Sequence, residues 1–151
     1  MNMKDRGLNS AWWALRIGLG VGPFLAGLDK FFNILTDWGM YLSPAVEAWL
    51  PVSGAAFMRT VGVIEMMVGL AILTRWTRLG SYVAAGWLVA IAANLVTTGM
   101  FFDLAVRDVE IAIAAYTLAR LTEARQPARV KQMVSLSLLE AAGLRRHRNA
   151  A

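Results

Sequence analysis

The sequence has 151 residues, of which 58% are hydrophobic and only 17% charged. A soluble domain has about half apolar and about a quarter charged residues. The composition therefore favours a membrane protein. With no cysteine and one histidine, His147, the chain cannot by itself build a disulfide, a thiolate metal site or a haem site. Much of the net charge of +5 comes from the C-terminal region, which is typical of a cytoplasmic tail and not of a nucleic-acid-binding surface.

The first predicted span covers about residues 12–35 and is interrupted by Arg16, Asp29 and Lys30. A transmembrane helix needs about 20 mainly apolar residues, and this segment is long enough. In the loop that follows, Ser43 and Pro44 are typical of an N-cap and a first helical residue. We therefore predict a short interfacial helix between the first two spans.

Three further apolar segments predict the remaining spans, at about residues 55–74, 79–99 and 101–121. The second span contains Arg59 and Glu65, whereas the third has no charged residue. The fourth is the least apolar, because its first half contains three charged side chains: Arg107, Asp108 and Glu110. The four segments together predict an all-α integral membrane protein with a four-transmembrane-helix bundle in residues 1–121.

The basic residues indicate the orientation of the bundle, since Lys and Arg near span ends concentrate on the cytoplasmic side. With both termini inside, twelve of the 15 basic residues lie on the inner side: Lys4, Arg6, Arg16, Arg75, Arg78 and the seven from Arg120 onwards. Residues 122–151 then form a basic, amphipathic cytoplasmic tail, either as a helix on anionic lipid or as a partly disordered segment. We expect a multi-pass protein of the cell membrane (a bacterial inner membrane or a plasma membrane).

Polar side chains share helix faces with small residues, which mark helix contacts in membranes. These small residues are Gly18, Gly22 and Ala26 in the first span, Gly62 and Gly69 in the second, and Gly86 and Ala90 in the third. The polar residues of these faces should point into the bundle and meet in its outer half. The predicted cluster contains Asp29, Lys30, Arg59, Glu65, Asn94, Arg107, Asp108 and Glu110.

An unpaired charge at the bilayer centre costs about 2.5–3.5 kcal/mol, so the charged groups of this cluster should pair or line a wet cavity. Arg59 and Arg107 are the predicted partners of Glu65, Asp108 or Glu110. Glu65 and Asp108 are the candidate catalytic carboxylates, and the other six cluster residues are candidate ligand contacts. A purely structural role, in which buried ion pairs fix the helix register, is the alternative interpretation.

Several short motifs follow one another along residues 12–121: Leu15-Arg16-Ile17-Gly18, Ala26-Gly27-Leu28-Asp29-Lys30-Phe31, Gly62-Val63-Ile64-Glu65, Gly69-Leu70, Thr77-Arg78-Leu79-Gly80 and Arg107-Asp108. In their order and spacing they resemble the DoxX/DoxD-like family of small four-helix membrane proteins. The resemblance implies a redox role at the membrane, since some members look like subunits of thiosulfate:quinone oxidoreductase. More distant members carry thiol pairs, and this cysteine-free chain departs from them.

The resemblance therefore implies a subunit of a quinone- or thiosulfate-linked redox system, with a quinone as the candidate cofactor. No haem or metal is expected, because the chain has no cysteine and one histidine. Whether the chain is itself an enzyme stays open. Two other functions stay open as well: a small proton- or ion-coupled transporter, and a membrane anchor or assembly subunit for a partner protein. The expected partners are the lipid bilayer, another membrane or cytoplasmic redox subunit and further copies of the chain, but not nucleic acid.

Overall fold

The computed structural model describes the backbone of residues 3–149 and the side chains of residues 6–125. Within those residues every regular element is a helix and no strand is present. In chain order the elements are α1 (Met3–Asp29), a 3₁₀ turn (Trp38–Tyr41), α2 (Pro44–Glu47), α3 (Gly54–Leu73), α4 (Thr77–Thr97) and α5 (Phe102–Asn149). The predicted all-α class is therefore confirmed.

The four long helices α1, α3, α4 and α5 pack into one bundle. The closest packing is between α1 and α3 and between α4 and α5, and α3–α4 and α1–α5 contacts close the ring. At one end, Trp12 and Ile72 lie in the core, and the indole N–H of Trp12 donates to the Thr122 hydroxyl at 2.8 Å. We call the end of the bundle that holds Trp12, Ile72 and Thr122 the terminal end. The opposite end, which holds residues 30–53 and 98–101, is called the loop end.

Three of the helices are long and apolar enough to cross a membrane: Arg6–Asp29, Gly54–Leu73 and Thr77–Thr97. They correspond to the first three predicted spans, and their composition suits contact with lipid. Within the described residues α5 does not reach the same threshold, because its first turns contain four charged side chains: Asp103, Arg107, Asp108 and Glu110. The fourth span and the sides of the termini therefore stay predictions.

Glycines allow the backbones of α1 and α3 to touch. A Cβ atom at Gly62 would lie 2.5 Å from the carbonyl oxygen of Gly27, and one at Gly69 would lie 2.5 Å from that of Gly20. The contact predicted for the two α3 glycines is thus confirmed. On α1 the glycines that contact α3 are Gly20 and Gly27, and not Gly18 and Gly22 as predicted. Gly20 and Gly27 are seven residues apart, which matches the seven-residue spacing of Gly62 and Gly69 on α3.

The helix α1 ends at Asp29, so the prediction of a helical span to residue 35 was wrong. The Asp29 carboxylate accepts hydrogen bonds from the backbone N–H groups of Ile34 at 3.0 Å and Leu35 at 3.1 Å. Asn33 adopts a positive φ of 51°, a conformation that asparagine tolerates better than most residues. The side chain of Asp29 therefore competes with the helix and turns the chain back across the loop end.

The loop between α1 and α3 packs into the bundle. Ser43 caps α2, since its hydroxyl accepts from the N–H of Ala45 at 3.3 Å and Pro44 takes the first helical position. The predicted short helix is confirmed, although it has only one turn and follows a 3₁₀ turn that we did not predict. Leu42 and Ser43 are buried, so this part of the loop forms a wall at the loop end.

Arg16 joins α1 to the end of α3. Its guanidinium donates to the carbonyl oxygens of Ile72 at 2.9 Å, Leu73 at 2.6 Å and Thr74 at 2.6 Å. The last carbonyls of a helix have no partner within it and carry the negative end of the helix dipole. The arginine that interrupts the first apolar segment therefore satisfies the C-terminal carbonyls of its neighbour.

The last helix continues past the fourth predicted span to Asn149. Its 48 residues correspond to about 72 Å, more than twice the thickness of a hydrocarbon core of about 30 Å. Side chains beyond Arg125 lie outside the described ones, so the predicted contact of the tail with lipid stays a prediction.

Candidate ligand cavity

A cavity of about 710 Å³ lies between the four long helices and the loop that connects α1 to α3. Small-molecule sites in proteins usually have volumes of about 300–1,000 Å³, so the size is that of a ligand site. Most of the wall is apolar. Five residues of the predicted cluster also line it: Lys30, Glu65, Asn94, Arg107 and Asp108.

Lys30 and Glu65 form a buried ion pair in the wall of the cavity. Lys30 Nζ lies 2.5 Å from Glu65 Oε2, and the two side chains are only 3% and 10% exposed. The ammonium also lies 3.6 Å from the ring centroid of Trp38, where an aromatic face attracts a cation. The pairing differs from our prediction, which assigned Arg59 or Arg107 to Glu65.

Asp29 holds Trp38 in place against Lys30 and does not itself line the cavity. Its carboxylate accepts a hydrogen bond of 2.8 Å from the indole N–H of Trp38, in addition to those from the loop backbone. Asp29 is buried, and these three donors compensate for the loss of water around it. Its role is therefore to position the aromatic ring that covers the ion pair.

Asn94 holds the loop against α4. Its side-chain N–H donates to the carbonyl oxygen of Tyr41 at 2.7 Å, and its side-chain oxygen accepts from the N–H of Ser43 at 3.1 Å. We predicted a hydrogen bond from this amide to a ligand, but both ends of the amide are bonded to the loop. Asn94 therefore forms part of the wall by anchoring residues 41–43.

Asp108 provides a buried carboxylate without a hydrogen-bond donor among the described residues. It is 7% exposed, and the nearest basic group is Arg107 Nε, 3.9 Å from Asp108 Oδ1. That distance exceeds a hydrogen bond, and the Arg107 side chain is 61% exposed. Asp108 lines the same cavity as Lys30 and Glu65, so the three charged groups face one space.

Two residues of the predicted cluster lie elsewhere. Arg59 and Glu110 are exposed on the outside of the bundle, and neither lines the cavity. The ion pairs predicted for Arg59 with the cluster carboxylates are absent among the described residues. The outward position of Glu110 follows from its spacing, since two residues after the buried Asp108 correspond to about 200° around the helix.

Aromatic side chains of the wall were absent from the predicted cluster. Trp38, Tyr41 and Trp87 all line the cavity, and the buried indole N–H of Trp87 has no hydrogen-bond partner among the described residues. Tyr41 also packs edge-on against Phe101, with 4.9 Å between ring centroids. The cavity therefore combines an aromatic and aliphatic wall with one buried ion pair and one carboxylate, that of Asp108, which accepts no hydrogen bond from a described residue.

This arrangement can hold a mainly apolar molecule and make a few specific polar contacts with it. The ammonium of Lys30 can donate to a ligand oxygen, and the carboxylate of Asp108 can accept a hydrogen bond or a proton from one. A hydrogen bond formed against an apolar wall is electrostatically stronger than one in bulk water.

Comparison with protein-family models, with curated proteins and with solved structures gives no match for this chain. The resemblance to the DoxX/DoxD-like family therefore rests on the sequence motifs alone. The cavity, with its apolar wall and the Lys30–Glu65 ion pair, is the feature of the structure that bears on function.

Proposed function

We propose that the protein is a DoxX-like integral membrane subunit of a quinone-linked redox system and that its central cavity binds the quinone. One observation carries the proposal: a largely apolar chamber of about 710 Å³ has a buried ion pair and a buried carboxylate in its wall. A quinone combines an apolar ring and chain with carbonyl oxygens on the ring. It therefore requires an apolar pocket with a few convergent polar groups.

In this proposal Lys30 donates a hydrogen bond to a ring carbonyl and thereby favours its reduction. Conversion of a quinone to a quinol consumes two electrons and two protons. A partner redox subunit supplies the electrons, and Glu65 and Asp108 pass the protons. Both carboxylates line the cavity, and intramembrane carboxylates commonly serve as proton relays.

The proposal includes a membrane topology in which α5 is a fourth span. Large apolar side chains lie on its exposed face: Phe102, Val106, Val109, Ile113 and Tyr116. The helix also packs against α4, which is itself apolar enough to cross a membrane. Both termini then lie on one side, which the positive-inside rule assigns to the cytoplasm.

Substitution of Glu65 tests the proposed site. Glu65→Gln removes the charge that holds Lys30, so we expect the affinity for a chain-bearing benzoquinone to fall at least about tenfold, the effect of one charged hydrogen bond. The affinity is measured by titration calorimetry on protein in lipid nanodiscs, with empty nanodiscs as the blank.

Glu110→Gln is the matched control, because it makes the same chemical change on an exposed residue outside the cavity. It should leave quinone binding unchanged. Wild-type protein that binds no quinone contradicts the proposed function, and so does equal binding by wild type and Glu65→Gln.

A further inference from the structure

The charged and amide side chains of the cavity wall lie towards the loop end of the bundle or midway along it, whereas the wall towards the terminal end is apolar. Lys30, Asn94, Arg107 and Asp108 approach it from the loop end, and Glu65 lies about halfway along α3. Towards the terminal end the wall consists of apolar residues: Gly18, Leu19, Val68 and Ala84. A ligand with one polar and one apolar end therefore has a preferred direction in this cavity.

The polar end has no net charge. Lys30 is balanced by Glu65, and Arg107 stands beside Asp108. An ionic headgroup such as a phosphate would leave one charge uncompensated in an apolar chamber, which is costly. The polar end therefore favours an uncharged head whose oxygens form hydrogen bonds.

Asp108 is the group at that end with unused bonding capacity. The residue is 7% exposed and its side chain 11% exposed. It lines the cavity, and its carboxylate has no hydrogen-bond donor among the described residues. Largely buried polar groups are nearly always bonded, either to protein or to water, so a hydroxyl of a ligand in the cavity can take the place of a water as the donor. A ring hydroxyl of a quinol would satisfy it.

Glycines widen the apolar end of the cavity. A Cβ atom at Gly18 or at Gly22 would meet no atom within 4 Å, and both residues line the cavity. Gly20 and Gly27 differ from them, since they are packed against α3. From Gly18 to Ala26 the helix rises about 12 Å, so the glycines leave an open slot along two turns.

We infer that the cavity holds its ligand lengthwise, with an uncharged, oxygen-bearing ring near Lys30 and Asp108 and an apolar chain in the slot along Gly18 and Gly22. This inference rests on the proposed function. It adds the orientation of the ligand in the cavity and the residues that determine which apolar chain the ligand can carry. Gly18 and Gly22 are then specificity-determining residues for the chain and not for the ring.

Leucine substitutions in the slot test this inference. Gly22→Leu and Gly18→Leu place a side chain into open space without a backbone clash, so the fold is retained, as checked by circular dichroism. Titrations in nanodiscs compare two probes: a methoxy-substituted benzoquinone without a side chain, and the same ring with a decyl chain. Gly86→Leu is the matched control, because Gly86 also has open space around it but does not line the cavity.

We expect Gly22→Leu and Gly18→Leu to weaken binding of the decyl probe at least about tenfold, because a few methylene groups lose their buried site. Affinity for the ring alone should stay within about twofold, a change of less than about 0.5 kcal/mol, and Gly86→Leu should change neither. Equal weakening of both probes, or no weakening of either, overturns the inference while the proposed function stands. Wild-type protein that binds neither probe overturns the proposed function, and the inference with it.

Discussion

Lys30 makes two contacts that replace water around its charge. Its ammonium pairs with Glu65 at 2.5 Å and lies 3.6 Å from the Trp38 ring centroid. The indole N–H of Trp38 donates a hydrogen bond to the Asp29 carboxylate, which holds the ring in place. A buried ion pair of this kind is strongly destabilised when one partner is removed, because the other charge then stays buried without compensation. Removal of both partners together has a much smaller effect.

A double-mutant cycle measures this coupling. Lys30→Met and Glu65→Met should each lower the free energy of unfolding by about 3–5 kcal/mol, whereas the double variant should lie close to wild type. Thermal unfolding in detergent, followed by circular dichroism, provides the values. Arg59→Met serves as the control on an exposed residue, and a double variant as unstable as the sum of the single variants would show that the two charges do not interact.

Single residues of the site could be predicted from the sequence more readily than their pairing. Charged residues within apolar segments predicted Lys30, Glu65 and Asp108, because burial in lipid restricts such groups to a few roles. The partner of Glu65 could not be predicted in the same way. It depends on the contact between Gly27 and Gly62, which sets the register of α1 and α3 and brings Lys30 next to Glu65.

At the scale of the helices, the close approach of α1 to α3 predicts a marked sensitivity to one added methyl group. Gly62→Ala places its Cβ atom 2.5 Å from the carbonyl oxygen of Gly27, so the helices must separate, and we expect a loss of about 1–3 kcal/mol of stability. The measurement is thermal unfolding in detergent.

Gly86→Ala provides the comparison within a neighbouring helix. Its Cβ atom meets nothing within 4 Å, and alanine favours the helix over glycine by about 1 kcal/mol, so this variant should be as stable as wild type or more so. Equal stabilities for the two alanine variants would contradict the proposed tight contact.

Helix positions were predictable from apolar segments, but one helix end was not. The segment after Asp29 is as apolar as the helix before it, and its hydropathy therefore suggested a longer span. The bonds from Asp29 to the N–H groups of Ile34 and Leu35 turn the chain at that point. Such a turn depends on side-chain bonding, which hydropathy does not describe.

At the scale of the whole molecule, the bundle separates charge along its axis. Arg16, Arg78 and Arg125 belong to the terminal end, whereas the cluster carboxylates lie towards the loop end. These arginines are among the basic residues that we predicted to share one side of the membrane. An experiment in cells tests which side of the membrane each end faces.

The absence of cysteine from the sequence makes that experiment direct. Single cysteines are introduced by Val52→Cys at the loop end, Trp76→Cys in the turn between α3 and α4, and Ala151→Cys at the C-terminus. Because positive residues stay inside, a membrane-impermeant maleimide should label only residue 52 in intact cells. Residues 76 and 151 should react after permeabilisation.

The same three variants test whether α5 is a fourth span. Labelling of residue 151 from outside, with residue 76 protected, would place the two on opposite sides and contradict the four-span topology. Labelling of residue 76 in intact cells would contradict the proposed orientation.

Trp38 gives the protein an optical reporter of its own cavity. Its ring is stacked on the Lys30 ammonium and lines the cavity, and its indole N–H is bonded to Asp29. Any occupant that attracts Lys30 or displaces the ring changes the electric field across the indole, and indole emission responds to such a field. In a variant whose other five tryptophans are replaced by phenylalanine, spectral shifts of Trp38 would thus follow the filling and emptying of the cavity in real time, without an added dye.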